Sequence, residues 1–316
     1  MSEAVHVPVM LDRVIELLEP AIANVEKPVV VDMTLGLGGH TEAFLERFPH
    51  ATVIGIDRDL QAIARASKRL ERFGERVKIV HGVDDEIIDI VAEAGFATID
   101  AVLFDLGVSS MQLDFAERGF AYAQDGPLDM RMNEQDGLTA ADVLNTYSED
   151  DIVRVLRDFG EEKFARRIAS AIVAQREEKP FATTRELVDI ISRSIPAAGR
   201  RTGRNPAKRT FQALRIEIND ELGVFRRAVA DALGLLSVGG RIVVLAYHSL
   251  EDRIAKRTFA DVTENKAPRD LPVVPEHMLP KFQLVVRGAE KSTPAEIDLN
   301  PRATSVRLRA VERVAA

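Results

Sequence analysis

The chain has 316 residues, of which 46% are hydrophobic and 29% charged, a composition typical of a globular protein with a substantial core. It contains no cysteine, which excludes disulfides, thiolate zinc sites and cysteine nucleophiles. Its formal net charge of −8 argues against a surface adapted throughout to a polyanion, so any contact with nucleic acid must be regional. No apolar run reaches the roughly 18 residues of a membrane span, and the N-terminus lacks a signal-peptide pattern, so we expect a cytoplasmic protein without a membrane partner.

The first third of the sequence alternates short apolar runs with helical stretches, the pattern of a parallel sheet covered by helices. The runs are short and rich in β-branched residues, as expected of strands buried on both faces. The sequence therefore predicts a doubly wound α/β sheet. The predicted strands are Pro28 to Asp32, Ala51 to Asp57, Val77 to Val80 and Ile99 to Asp105, and the predicted helices are Thr41 to Phe48 and Asp59 to Phe73.

The alternation then stops, and the stretch from Ser148 to Ile195 predicts three helices. Ser148 and Thr183 have the spacing to following acidic residues that is typical of helix N-caps. Because the chain is also longer than a typical single domain, we predict a helical insertion at 113–205 within a sheet domain formed by 1–112 and 206–316.

The sheet pattern resumes after the insertion, giving seven strands, most of them parallel. A long helix is predicted before the fifth strand, and two polar, proline-rich stretches are predicted to be surface loops. The predicted helix is Thr210 to Leu236, the strands are Arg241 to Ala246, Phe282 to Val286 and Ser305 to Val311, and the loops are Lys266 to Pro280 and Lys291 to Pro301.

A glycine-rich loop with Gly36, Gly38 and Gly39 follows the first strand. Such a loop lets the backbone pass close to a ligand and exposes amide groups at a helix N-terminus, although by itself it also fits a tight turn. Asp57 ends the second strand, where a carboxylate can accept hydrogen bonds from both ribose hydroxyls. Its alternative role is to cap the following helix, which Asp59 would serve equally well. Together these features indicate a cofactor that contains adenosine.

Two features favour S-adenosylmethionine over a nicotinamide dinucleotide. Thr41 occupies the place of the third glycine in the dinucleotide fingerprint, and Asp32 precedes the loop, where it can contact a cationic amino-acid group. Asp84 follows the third strand and is either an acceptor for the adenine amino group or a solvated loop carboxylate. An NAD-dependent oxidoreductase remains the alternative enzyme.

Long motifs follow the fourth strand and continue to the end of the chain. In these motifs the chain resembles the MraW/RsmH family of bacterial ribosomal RNA methyltransferases, which methylate the exocyclic N4 of one cytidine in small-subunit RNA. The resemblance covers nearly the whole chain. The motifs are Asp105 to Asp114, Arg118 to Phe120, Asp125 to Met132, Arg209 to Ile216, Tyr247 to Arg253 and Asn300 to Ser305.

The resemblance implies a class I methyltransferase sheet, S-adenosylmethionine as the cofactor, and 16S rRNA as the substrate within the assembled small ribosomal subunit. At Asp84 the chain departs from the family, where we expect an aromatic residue against the adenine, so that only a polar contact is left there. The cofactor-binding residues that the resemblance implies are Gly38, Gly39, His40, Asp57, Asp105 and Gln112, and Asp84 is added from its position after the third strand.

Methyl transfer from a sulfonium is an in-line displacement that needs alignment of the reacting atoms and no metal. The lone pair of cytosine N4 is delocalised into the ring, and a carboxylate that accepts its N–H favours the reactive geometry. The sequence lacks the Asn/Asp-Pro-Pro-aromatic motif of many amino methyltransferases. Asp105 and the backbone from Gly107 to Ser110 are our candidates for orienting the amine; alternatively, Asp105 serves only the cofactor. His248 either lines the base pocket or packs locally.

The connection from Arg193 to Arg215 carries seven basic residues and no acidic one. On an acidic protein this stretch predicts a phosphate-binding surface, and its alternative is a solvated basic loop. The non-enzymatic alternative for the whole chain is a ribosome-assembly or RNA-binding factor. The seven residues are Arg193, Arg200, Arg201, Arg204, Lys208, Arg209 and Arg215.

Overall fold

The structure is a computed structural model that describes residues 8–135, 137–196, 205–265, 267–268, 275 and 278–316. The chain divides into two compact units: the sheet unit, formed by Met1–Gly107 and Leu222–Ala316, and the helical unit, formed by Val108–Glu221. The helical unit extends beyond the predicted range 113–205 at both ends. At its C-terminal end the cause is a helix after residue 205, because Phe211 and Leu214 on that helix lie in the core of the helical unit.

Seven strands form one sheet in the order β3-β2-β1-β4-β5-β7-β6. Strands β1 to β5 are parallel to one another, and β7 is antiparallel to both β5 and β6. The predicted seven-stranded, mostly parallel α/β sheet is confirmed. The strands are β1 (Val29–Asp32), β2 (Thr52–Asp57), β3 (Val77–His81), β4 (Ile99–Asp105), β5 (Leu236–Ala246), β6 (Phe282–Leu284) and β7 (Arg307–Arg313).

Helices cover the sheet and make up the helical unit. In the described residues they are α1 (Leu11–Ile22), α2 (Gly39–Arg47), α3 (Leu60–Leu70), α4 (Ile87–Glu93), α5 (Ser110–Asp114), α6 (Ala140–Thr146), α7 (Glu149–Asp158), α8 (Ala165–Glu178), α9 (Thr184–Ser194), α10 (Lys208–Asn219), α11 (Glu221–Leu235), α12 (Ser249–Thr263) and α13 (Pro294–Leu299). Short 3₁₀ turns lie at Glu71–Arg76, Asp84–Glu86, Ala116–Arg118 and Pro301–Ser305.

The central strands are buried on both faces because successive side chains point to opposite sides of the sheet. Val30 on β1 and Leu103 on β4 belong to one hydrophobic core, and their neighbours Val31 and Phe104 belong to the other. All four side chains are fully buried. Burial at about 1.5–3 kcal/mol for each large apolar side chain makes these two strands the rigid base on which the loops at their carboxyl ends are mounted.

The helical unit has a core of its own, and its helices begin where the sequence predicts. Ser148 caps α7 by accepting the Asp151 N–H at 3.1 Å. Thr183 caps α9, and the Glu186 side chain accepts the Thr183 N–H in return. The three helices predicted between Ser148 and Ile195 are therefore confirmed as α7, α8 and α9.

The structure corrects two sequence predictions. The helix predicted from Thr210 to Leu236 is two helices, α10 and α11, because Asp220 between them has a left-handed backbone with φ of 45°. The predicted loop from Lys291 to Pro301 contains α13, which Thr293 caps. Most of the other predicted loop, Lys266 to Pro280, lies outside the described residues.

Candidate active site

Parallel pairing brings the carboxyl ends of four strands to one edge of the sheet. Asp32, Asp57 and Asp105 are the last residues of β1, β2 and β4, and Asp84 begins the 3₁₀ turn after β3. Register fixes this alignment, since Asp32 lies opposite Gly55 on β2, and Asp57 lies opposite the last residue of β3. The crevice outside this edge is the usual ligand site of such sheets.

The glycine loop is folded against β2 at this edge. The Gly36 N–H donates to Asp57 Oδ2 at 2.7 Å, and Gly38 is the left-handed N-cap of α2 with φ of 75°. Gly39 is required by packing, because a Cβ there would lie 2.6 Å from Cγ of Pro8 in the N-terminal segment. Gly38 and Gly39 thus allow the chain to turn closely into α2 and leave the first amides of the helix without side chains in front of them.

Asp57 is held by two backbone amides. Its Oδ2 accepts the Gly36 N–H, and its Oδ1 accepts the Asp59 N–H at 2.8 Å. Burial raises the pKa of Asp57, and the two amides oppose this rise. The residue that caps α3 is Asp59, whose side chain accepts from Gln61 and Ala62, so capping is not the role of Asp57. Since a carboxylate has about four acceptor sites, both oxygens of Asp57 keep capacity for a ligand.

Asp84 lies half-buried in the loop after β3. Burial raises its pKa to about 7, Arg58 opposes the rise, and the nearby carboxylates Asp57, Asp85 and Asp32 add to it. Asp84 therefore differs from a freely solvated loop carboxylate, which would have an ordinary pKa.

Asp105 is held by side chains rather than amides. Its Oδ1 accepts the Tyr247 O–H at 2.6 Å, and its own N–H donates to Oγ1 of Thr34 at 2.7 Å. Its Oδ2 lies 3.5 Å from Nδ1 of His40. Burial raises the pKa of Asp105 to about 7; the Tyr247 hydroxyl lowers it and Glu251 adds to the rise.

His40 and Asp32 lie beside this carboxylate. His40, buried in the first turn of α2, has Nε2 3.1 Å from the Val9 carbonyl oxygen, and burial lowers its pKa against the opposing effects of Asp32 and that carbonyl. Asp32 is fully buried and accepts the Thr41 hydroxyl at 2.7 Å and the Thr34 N–H at 3.3 Å. Burial raises the pKa of Asp32, against the effect of His40. Thr41, which replaces the third glycine, is therefore the partner of the Asp32 carboxylate.

Gln112 belongs to the helical unit and lies in α5. Its Oε1 accepts the Ser109 N–H at 3.0 Å, and its own N–H donates to Oγ of Ser109 at 3.2 Å. This capping box fixes the first turn of α5. The contact of Gln112 with the cofactor remains a prediction.

The sequence interpretation missed Tyr247 as a site residue. Tyr247 and His248 follow β5, and the buried Glu251 side chain accepts both of their N–H groups, at 2.7 and 3.1 Å. His248 is largely buried, and within the described part of the chain neither ring nitrogen has a hydrogen-bond partner, although Nε2 lies 3.1 Å from Glu251 Oε1. The only signal in the sequence was position: Tyr247 directly follows the carboxyl end of β5, and Asp105 is at the carboxyl end of β4.

The basic connection is only partly described, because Arg200, Arg201 and Arg204 lie outside the described residues. Arg215 is not free for a phosphate, because it binds both oxygens of Glu221 at 2.7 and 2.9 Å. Glu221 lies just beyond the stretch, on the next helix. Arg209 donates to the Glu161 carbonyl, a neutral partner that leaves its charge uncompensated.

Among the described residues no group of three or more His, Asp or Glu side chains is arranged to hold a metal ion. None of the helices in the described ranges is both long enough and apolar enough to cross a membrane.

Comparison with known proteins gives the family. The MraW methylase family matches residues 3–314. The chain is 58% identical to ribosomal RNA small subunit methyltransferase H of Nocardioides sp., over 99% of this chain and 98% of that protein. It is 55% identical to the protein of the same name from Parafrankia sp., over 99% and 96%. A solved rRNA methylase from Streptococcus thermophilus is 13% identical over 99% of both chains, with a TM-score of 0.42.

The strand order, the antiparallel β7, and the glycine loop facing the carboxylates define a class I methyltransferase, and S-adenosylmethionine is the cofactor of that class. The predicted cofactor is confirmed, and an NAD-dependent oxidoreductase is not favoured. The chain belongs to the MraW methylase family.

Proposed function

We propose that the protein transfers the methyl group of S-adenosylmethionine to the exocyclic N4 of a cytidine in 16S rRNA, within the assembled small ribosomal subunit in the cytoplasm. The observation that carries the chemistry is the Asp105 carboxylate at the end of β4. Its Oδ1 accepts the Tyr247 O–H, and its Oδ2 faces His40. The names of the relatives, ribosomal RNA small subunit methyltransferase H, support the choice of RNA.

The carboxyl edge fits S-adenosylmethionine in charge and in hydrogen-bond acceptors. The cofactor carries a sulfonium, an ammonium and one carboxylate, so it has a net positive charge. Burial raises the pKa of Asp32, Asp57, Asp84 and Asp105, and a cation among them favours their ionised forms.

We assign each residue one task in holding the cofactor. Asp57 accepts the ribose hydroxyls with the acceptor capacity that the two amides leave. The turn at Gly38 and Gly39 receives the amino-acid part at the start of α2, Asp84 accepts the adenine amino group, and Gln112 is a further proposed cofactor contact. His40 positions the loop through Val9.

Asp105 orients the nucleophile. When its carboxylate accepts an N–H of the cytosine amine, the nitrogen lone pair turns out of conjugation with the ring and toward the methyl carbon. Alignment of nitrogen, methyl carbon and sulfur near contact distance supplies most of the acceleration of a displacement of this kind. The sulfonium supplies the electrophilic methyl group.

The helical unit is our proposed RNA-binding part. Among the described residues, Arg193 and Arg209 donate to the carbonyl oxygens of Asp189 and Glu161, neutral partners that leave their charges for phosphates. A non-catalytic RNA-binding factor would have no use for the Asp105–Tyr247 hydrogen bond or for a glycine loop fastened to Asp57, which is why we favour an enzyme.

The test uses small ribosomal subunits from cells that lack this protein. Incubation with the protein and isotope-labelled S-adenosylmethionine, followed by mass mapping of the RNA, is expected to place one methyl group on the N4 of one cytidine. Asp105→Asn protein is the control for a bound but inactive enzyme. Label on another base or atom, or none in the presence of fully folded protein, would contradict the proposal.

A further inference from the structure

His40 connects the N-terminal segment with Asp105. One ring nitrogen, Nε2, lies 3.1 Å from the Val9 carbonyl oxygen, and the other, Nδ1, lies 3.5 Å from Asp105 Oδ2. The imidazole is buried, with 5% of the residue exposed. A buried imidazole between an acceptor and a carboxylate has a defined set of protonation states, which the sequence did not suggest.

The contact with Val9 fixes the tautomer of His40. A carbonyl oxygen only accepts hydrogen bonds, so Nε2 must carry the hydrogen. Because burial lowers the pKa of His40, the ring is neutral at neutral pH and Nδ1 is a bare acceptor. A bare Nδ1 and an ionised Asp105 Oδ2 have no hydrogen to share, which agrees with their separation of 3.5 Å, longer than a hydrogen bond.

Asp105 has one oxygen assigned and one available. Oδ1 accepts the Tyr247 O–H, whereas Oδ2 faces His40, and 24% of the Asp105 side chain is exposed. The titratable and charged groups around it are Tyr247 after β5, Glu251 on α12, His40 on α2 and Asp32 at the end of β1. Because burial disfavours the imidazolium form of His40, the hydrogen that joins Oδ2 to Nδ1 is expected to come from protonation of the carboxylate.

We propose that Asp105 and His40 form a proton-holding pair, in which Asp105 takes the proton of the methylated amine on Oδ2 and the bare Nδ1 of His40 accepts the resulting O–H. This inference rests on the proposed function, because it requires an amine as the nucleophile. Asp105 is the catalytic residue of the pair, and His40 and Tyr247 are positioning residues.

The step balances in atoms and charge. The bond from N4 to the methyl carbon forms as the carbon–sulfur bond breaks, and the sulfur keeps that electron pair. One N–H bond then breaks, its electrons stay on nitrogen, and the proton bonds to Oδ2; nothing is oxidised or reduced. The site begins with a sulfonium beside a carboxylate and ends with a neutral thioether beside a neutral acid, so no unpaired charge is left half-buried.

Substitutions of His40 and Tyr247 are expected to shift the pKa of Asp105 in opposite directions. Nδ1 stabilises the protonated acid, so His40→Gln, which can keep a donor to Val9 but lacks the Nδ1 acceptor, is expected to lower the Asp105 pKa by about half to one unit. His40→Asn restores an acceptor near the Nδ1 position and is expected to recover most of that shift. The Tyr247 hydroxyl stabilises the ionised form, so Tyr247→Phe is expected to raise the pKa.

The measurement is a pH titration of protein labelled with ¹³C at the aspartate carboxyl carbon, without ligand. The Asp105 signal is identified by its loss in Asp105→Asn. His81→Gln is the matched control, since His81 Nε2 also lies near a backbone carbonyl, of Arg58 at 3.2 Å, and the same substitution there is expected to leave the Asp105 titration unchanged. An unchanged Asp105 titration in His40→Gln, or a lowered pKa in Tyr247→Phe, would overturn the pair.

Activity separates this inference from the proposed function. In single-turnover methylation at saturating cofactor, the pH-rate profile of His40→Gln is expected to follow its shifted Asp105 titration, and His40→Asn to restore the wild-type profile. If Asp105→Asn methylates at the wild-type rate, the proposed role of Asp105 fails whatever the titration shows. If Asp105→Asn is inactive while the pH profile of His40→Gln matches wild type, only the pair fails.

Discussion

Asp57 and Asp105 end two strands of the same sheet, β2 and β4, that flank β1, yet they are held in different ways. Asp57 is fixed by the N–H groups of Gly36 and Asp59, which stabilise the ionised carboxylate. Asp105 is held by the Tyr247 side chain and faces a bare imidazole nitrogen, an arrangement that suits both of its protonation states. A carboxylate bound by backbone amides is suited to binding, and one bound by side chains is suited to chemistry that moves a proton.

The largest expected effect is on turnover, through Asp105. We expect Asp105→Asn to reduce the single-turnover rate by about 10²–10⁴-fold at saturating cofactor, the usual range for loss of a general base. Thermal unfolding checks that the variant is folded, and calorimetry checks that the cofactor saturates it. A rate close to wild type would remove Asp105 from the chemistry and leave it a cofactor ligand.

Asp57 is expected to affect binding. Removal of a partly buried, charged acceptor costs about 1–3 kcal/mol, so Asp57→Ala should weaken S-adenosylmethionine binding by about 5–150-fold. The matched control is Asp59→Ala, which removes the N-cap of α3 and should lower the unfolding free energy by about 1 kcal/mol with little change in affinity. Equal losses of affinity in the two variants, measured by calorimetry, would show that Asp57 acts only by holding the loop.

The pH dependence of cofactor binding is a third, smaller effect. Burial raises the pKa of Asp84 and of Asp105 to about 7, and a cation binds better to the ionised forms. Affinity should therefore be highest above pH 7 and fall as pH falls through 7, by up to about tenfold per unit for each carboxylate that must lose a proton. Calorimetry in buffers of different ionisation enthalpy should detect proton release near pH 6.5, and Asp105→Asn should reduce it. Binding that is independent of pH between 6 and 8 would contradict the raised values.

Asp32 is an intermediate case, since it accepts one hydroxyl and one amide. Thr41→Val removes the hydroxyl at nearly constant volume, and we expect the free energy of unfolding to fall by about 1–2 kcal/mol. Thr41→Ser, which keeps the hydroxyl, serves as the control. If denaturant unfolding gives the same stability for both variants, the Thr41–Asp32 hydrogen bond contributes nothing net.

The parts of the site that sequence could predict are those whose partners are close in the chain or set by strand spacing. The glycine loop, Asp57 and Asp105 all follow from short runs of apolar residues that end in a turn. The hydrogen bond between Tyr247 and Asp105 joins residues 142 positions apart, and only the parallel pairing of β4 with β5 brings them together. A contact of that kind depends on tertiary structure, which local patterns do not encode.

The fold differs from the sequence prediction at α10 and α11, and α1 was not predicted. The two helices α10 and α11 share one apolar pattern, and the left-handed Asp220 that separates them has no strong signal in sequence. Helix α1 contains Pro20, a residue that argues against a helix, but five buried apolar side chains hold it on the sheet. Glu221, which follows Asp220 and begins α11, forms an ion pair with Arg215 on α10.

The pairing of β4 with β5 also has a consequence for the order of folding. β1, β2 and the glycine loop lie within the first 57 residues, so the contacts of Asp57 with the glycine loop require the closure of only a short loop of chain. The contact of Asp105 with Tyr247 requires β5, which follows the whole helical unit in the chain. Contacts of such long sequence separation form slowly. In pulse-labelled hydrogen exchange during refolding, the amide of Gly36 should therefore gain protection before that of Leu106, which donates to the Leu245 carbonyl of β5 at 3.0 Å. Asp57, the proposed ribose ligand, is therefore expected to be positioned first. The surroundings of Asp105 are expected to be complete only when β5 pairs with β4.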